Sequence, residues 1–140
     1  MILYILSQIW KSGAKIERLK TGELELHHHE FVDDKILKAA EPIFDDIDNY
    51  LKSVEGMSAV DKTIWKMIVT FANWQAHEKI TNFLNGDEQG LMLFLDYQGK
   101  LALNGWKELY DDWRQYETPE CEKLKSEIYA RAVAFAKGVQ

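Results

Sequence analysis

Residues 20–29 read Lys-Thr-Gly-Glu-Leu-Glu-Leu-His-His-His, and the fold turns on them. Lys20-Thr21-Gly22 supplies a turn with a residue free to take positive φ. Glu23-Leu24-Glu25-Leu26-His27 then alternates strictly, the pattern of a strand with one buried face. Residues 14–19 alternate more weakly on the other side of the turn, so the spacing predicts a β-hairpin across Gly22. Upstream, Ile2, Leu3, Leu6, Ile9 and Trp10 recur at helical spacing, and Ser12-Gly13 closes that helix. Downstream, Asp33 or Asp34 caps a helix carrying Val32, Ile36, Leu37 and Ala40. Pro42 opens another, with Ile43, Phe44, Ile47, Leu51 and Val54 as its stripe and Gly56 at its end. Residues 1–56 therefore read as helix, hairpin, helix, helix.

The second half reads as a weaker copy of the first. Gly22, Leu24, Leu26, Asp34 and Pro42 recur at a constant offset as Gly99, Leu101, Leu103, Asp111 and Pro119. Ser58 with Asp61 resembles a capping box and opens a long helix to about residue 85. That helix carries two apolar stripes, one through Trp65, Ile68, Ala72, Ala76, Ile80 and Phe83, the other through Ile64, Met67, Phe71 and Trp74. A helix apolar on two sides is buried between two bodies. It is either the central helix packed by both halves or a subunit interface.

Residues 85–90 are a polar, Gly-rich break. Residues 91–97 read as a strand, Gln98-Gly99 as a turn, and Leu101 and Leu103 as a second strand. Trp106, Leu109, Tyr110, Trp113 and Tyr116 form an aromatic helical stripe. Pro119 opens the last helix, with Leu124, Ile128, Ala132 and Phe135, and Gly138 ends it. The expected architecture is α+β: two αββαα-like modules, residues 1–56 and 58–140, joined by a long central helix. An all-α second half, with 91–97 helical, is the alternative, because a short apolar run fits either period.

Composition narrows the function. The 140 residues are 46% hydrophobic and 29% charged, with five Trp, which is a folded chain rather than a disordered tail. A net charge of −6 disfavours direct nucleic-acid binding, which needs basic side chains; acidity otherwise mostly serves solubility, and an acidic surface meeting a basic partner is the lesser reading. The single cysteine, Cys121, allows no intrachain disulfide and fits a cytoplasmic location. The N-terminal MILYILSQIW is too short to span a bilayer and has no basic leader, so neither membrane span nor signal peptide is expected.

Few residues point to chemistry. On a strand, His27 and His29 share a face with Glu25, and imidazoles suit zinc, copper or nickel. The remaining histidine beyond His28 is His77, and no HExxH or CxxC spacing is present. The rival reading is a solvated strand end. Asp33-Asp34, Asp45-Asp46-Asp48 and Asp111-Asp112 are carboxylate clusters, but Asp near a helix start also stabilises the helix dipole. Cys121 lies in the first turn of a helix, without a motif around it. Trp65, Trp74, Trp106 and Trp113 suit a core or a binding hot spot. No phosphate loop or nucleophile elbow occurs. The expectation is no catalytic residue, no cofactor and no enzyme.

Leu3, Leu6, Gly13, Ile16, Gly22, Leu24, Leu26, Asp33, Ile36, Leu37, Ile47 and Leu51 carry a resemblance. Residues 3–54 resemble the TubC N-terminal docking-domain family, small αββαα modules at the front of large synthase subunits. The resemblance implies dimerisation and an exposed hairpin strand that recruits a segment of another subunit. Family members carry basic residues around that strand, where this chain has Glu23, Glu25 and three His. No synthase domain follows, so docking in cis is not expected.

The expected function is thus a non-enzymatic docking or adaptor protein, a homodimer, recruiting a partner polypeptide. Its binding residues are Glu23, Leu24, Glu25, Leu26, His27 and His29. Two alternatives stand beside it. One is a phage or mobile-element accessory protein, either a replication helper or an acidic inhibitor of a host factor. The other is a metal-dependent enzyme using His27, His29 and His77.

Overall fold

The computed structural model describes residues 1–138. They are mostly helical, with one two-stranded antiparallel sheet among them. The chain divides into two compact units. Unit 1 is residues 1–56 with 73–75, and unit 2 is residues 57–72 with the chain from 76 onward. Among the described residues, no helix is long and apolar enough to cross a membrane.

Unit 1 has the order α1 (Ile2–Lys11), β1 (Lys15–Arg18), β2 (Leu24–His27), α2 (Asp34–Ala40) and α3 (Phe44–Glu55), with 3-10 turns at His29–Phe31 and Glu41–Ile43. Leu3, Ile5, Leu6 and Ile9 of α1 are buried, and α1 packs on α2 and α3. Each such side chain contributes about 1.5–3 kcal/mol by leaving water. The hairpin turns where Leu19 N–H donates to Glu23 O at 2.7 Å and Gly22 N–H to Leu19 O at 2.9 Å. Gly22 sits at φ 92°, the left-handed residue that a three-residue hairpin loop requires. Arg18 ties the hairpin to α3. Its Nε lies 2.9 Å from Glu55 Oε2 and its Nη2 2.8 Å from Asp48 Oδ1. Asp33 caps α2 by accepting from Lys35 N–H at 2.9 Å. Pro42 falls in the 3-10 turn, and α3 begins two residues later at Phe44.

Unit 2 is a bundle of α4 (Ala59–Phe71), α5 (Glu78–Gly86), α6 (Glu88–Leu103) and α7 (Pro119–Ala136), with a 3-10 turn at Trp113–Tyr116. Its most extensive packing is α6 on α7. Ile64, Ile68, Phe83, Phe94, Tyr97, Leu101, Trp113, Cys121 and Ile128 lie in its core. Ser58 caps α4, its Oγ accepting from Asp61 N–H at 3.1 Å.

Three expectations are corrected here. The long helix of residues 58–85 is two helices, α4 and α5, separated at Asn73, which sits at φ 62°. Asn is the residue after Gly that best tolerates this conformation, and it ends helices there.

The second hairpin is α6. Gly90, Phe94, Tyr97 and Leu101 are its buried stripe, spaced for a helix rather than a strand. Gly99 is not a turn glycine but a mid-helix one, facing open space. Residues 91–103 contain no Val, Ile or Thr, the residues that favour strands, and are rich in Leu, a good helix former.

The aromatic helix of residues 106–116 is a loop ending in the 3-10 turn. Trp106 Nε1–H donates to Asp111 O at 3.1 Å, and its ring meets Trp113 edge to face. Asp112 caps the turn, accepting from Arg114 N–H at 3.0 Å. The repeated residues are therefore not structural equivalents, since Gly22, Leu24 and Leu26 build a hairpin and Gly99, Leu101 and Leu103 a helix. Unit 2 is not a second αββαα module.

Candidate partner-binding edge

The register of the hairpin fixes which main-chain groups are spoken for. Lys15 faces His27, Ile16 faces Leu26, Glu17 faces Glu25 and Arg18 faces Leu24. The bond from Leu19 N–H to Glu23 O makes that pair hydrogen-bonded. Antiparallel ladders alternate, so Glu17 with Glu25 and Lys15 with His27 are the next bonded pairs. Arg18 with Leu24 and Ile16 with Leu26 are the intervening ones, whose N–H and C=O groups point away from the partner strand. On β2 the outward groups belong to Leu24 and Leu26. Among the described residues, no further strand pairs with this edge.

The two faces of the ribbon differ. Ile16, Arg18, Leu24 and Leu26 are half-buried on one. Lys15, Glu17, Glu25 and His27 alternate onto the other, where His27 Nε2 lies 3.3 Å from Glu17 Oε2 and 3.9 Å from Glu25 Oε2. Glu23 precedes β2 and is exposed. On α3, the Arg18 hydrogen bond is the chief cause that holds the Asp48 carboxyl below its ordinary range.

The strand ends earlier than the histidine run. His28 turns left-handed at φ 63°, its ring stacked on Phe31, and His29 begins a 3-10 turn. His27 and His29 therefore do not share a strand face. Glu30 sits in the same turn. Its carboxyl is held low by its own backbone N–H and then by His28. His77 belongs to unit 2, where it meets Trp65 edge to face. Among the described residues, no three or more His, Cys, Asp or Glu side chains are placed to hold a metal ion.

Sequence reading missed the most polar cluster of unit 2. Lys125 is 3% exposed, and its Nζ lies 2.7 Å from Asp61, 2.8 Å from Glu117 and 3.0 Å from Glu122. Burial acts to lower its pKa, but the hydrogen bonds to these carboxylates outweigh it and raise the value above the usual lysine range. A lysine so held stays protonated and is no nucleophile. Burial and Glu117 likewise raise the Tyr97 hydroxyl, so it is no general base. The signal was present: Cys121, Lys125 and Ile128 form one buried stripe on α7, and a charge on such a stripe must be paired.

The other candidates serve local structure. Cys121 is fully buried, with the Thr118 hydroxyl 3.5 Å from its Sγ. Asp34 lies in the first turn of α2, and Asp45 and Asp46 lie in that of α3. Asp111 accepts from the Tyr116 hydroxyl. No family model, curated protein or solved structure matches the chain.

Proposed function

We propose that the protein is a non-enzymatic docking or adaptor protein in which β2 receives an extended segment of a partner polypeptide by strand addition. The observation that carries this reading is the outer edge of β2, where the main-chain groups of Leu24 and Leu26 face away from β1. Such edges are ordinarily blunted or covered, and one left available is a template for another chain. Glu23, Glu25 and Glu30, just before β2, on it and just past it, are exposed, so the fitting partner is a strand flanked by Lys or Arg. His27 and His29, beside these carboxylates, add polar contacts at the C-terminal end of the edge. The resemblance of residues 3–54 to the TubC docking family supports the same reading, and with it self-association as a homodimer in the cytoplasm.

Leu26→Pro tests the edge directly. The Leu26 N–H points away from β1, so its loss leaves the hairpin ladder intact and removes one outward donor. Wild type and variant are each used to capture partners from the native host, with cross-links mapped on the bait. The expected result is a partner cross-linked to β2 that Leu26→Pro no longer retains, with circular dichroism unchanged. A folded Leu26→Pro that captures the same partner equally would overturn the proposal.

A further inference from the structure

We propose that the cleft of unit 2 lined by α4, α5 and α7 binds an amphipathic organic anion, with its apolar body against Phe83, Val133 and Phe135 and its carboxylate or sulfonate head at Lys66 and Lys79. This goes beyond the docking reading and shares no residue with the hairpin. The cleft has a volume of about 740 Å³, within the span of small-molecule sites. Its apolar wall is built, not incidental: Phe83 and Phe135 meet edge to face at 5.7 Å. Such a wall rewards burial of hydrocarbon at about 25 cal/mol per Å².

The mouth reverses the charge of the chain. The protein carries −6 overall, yet Lys66 and Lys79 here face a single carboxylate, Glu78. Among the described residues, neither lysine is ion-paired, so both ammonium groups are available to an anion. An ammonium beside an apolar wall is the complement of a one-headed amphiphile.

His77 makes the site pH-sensitive. Burial first, and then Lys66, hold its imidazole below the ordinary value of 6.5. The charged and titratable groups lining the cleft with it are Lys66 from α4, Glu78 and Lys79 from α5, and Tyr129 from α7. A bound anion favours the imidazolium. Affinity therefore rises as pH falls through the depressed value and is flat above it.

The probe is 1-octanesulfonate, which stays ionised throughout, titrated into the full chain by ¹H–¹⁵N NMR and calorimetry. Amide shifts are expected to cluster at His77, Lys79, Ile80 and Ala132. 1-Octanol and octyltrimethylammonium should bind at least about tenfold more weakly, as should the probe to Lys66→Glu/Lys79→Glu, each charge-assisted contact being worth at least a factor of ~10. Ala132→Trp fills the cleft from an incompletely buried position and should abolish the shifts without unfolding the chain. As pH falls below 6.5 the affinity should rise about fivefold once the imidazole is protonated, and His77→Gln should flatten that rise. Shifts scattered elsewhere, for instance on exposed Met92 and Leu95 of α6, would overturn the proposal. So would equal binding of the alcohol and the cation, or an unchanged affinity in the charge-reversed variant. A flat pH profile in the wild type would remove the role of His77.

Discussion

The Tyr97 hydroxyl on α6 donates to Glu117 Oε2 at 2.7 Å, and that same oxygen accepts from Lys125. Tyr97→Phe keeps the buried ring and deletes one bond to a charged acceptor. The expected loss is about 1.5 kcal/mol, seen as a lower urea midpoint at unchanged slope. An unmoved midpoint would show that the hydroxyl contributes nothing.

Lys125→Met leaves Asp61, Glu117 and Glu122 facing one another without a cation. Removing one partner of a buried ion pair costs about 3–5 kcal/mol, and the exposure of Asp61 and Glu122 puts this case at about 3. In the wild type the raised lysine pKa contributes stability that is present through neutral pH and lost only above the usual lysine value of 10.5. Urea unfolding at neutral pH measures the loss, and a midpoint equal to that of the wild type would refute this account.

Two glycines of α6 are expected to respond oppositely to alanine. Gly99 faces open space inside the helix, so Gly99→Ala should stabilise by about 0.5–1 kcal/mol. Gly90 packs on α5, and a Cβ there would lie 2.4 Å from Phe83 Cζ, on a ring that is itself buried and held edge to face by Phe135. Overpacking at about 1–3 kcal/mol outweighs the same helix gain, and Gly90→Ala should destabilise. Thermal melts of both variants decide this. A destabilising Gly99→Ala would count against the helix.

Asn73 carries the break between α4 and α5. Asn73→Gly should change stability by only a few tenths of a kcal/mol or improve it, while Asn73→Val should cost about 1–2 kcal/mol. Equal melting temperatures for the two would mean that the left-handed residue is unimportant.

Acid should loosen both units through different pairs. Arg18 chiefly holds the Asp48 carboxyl below 3.8, and Arg131 does the same for Asp87. Carboxylates depressed in this way give stability that is present above 3.8 and lost as pH falls through the lower folded value. Arg131→Gln should therefore flatten the acid limb of unit 2 below about pH 4, followed by the tryptophan fluorescence of Trp65 and Trp113. An acid limb as steep as the wild type would argue against this linkage.

The hairpin was legible because its two signals are local. Leu24 and Leu26 alternate with charged residues, and Gly22 marks the only turn that could join such strands. The rest was hidden by residues that satisfy two readings. Leu91, Leu93 and Leu95 suggest a period of two, but Leu95 is exposed, and the buried residues Phe94, Tyr97 and Leu101 follow the helical spacing instead. The absence of β-branched residues was the overlooked discriminator. Asn73 was masked because apolar spacing runs on through Trp74 and Ile80, so periodicity alone bridges the break. At the candidate edge, the strand of Leu24 to His27 could be read directly. The exit at His28 could not, since nothing in three consecutive histidines announces a left-handed residue.

One ammonium joins the start of α4 at Asp61, the end of the aromatic loop at Glu117 and the first turn of α7 at Glu122. Loops ordinarily exchange their amide protons early, opening apart from the helices beside them. Here residues 104–117 cannot swing away without stranding a buried cation, so their deuterium uptake should keep step with that of α4 and α7. The stretch with the least regular backbone in unit 2 would then behave as part of the same foldon as its helices.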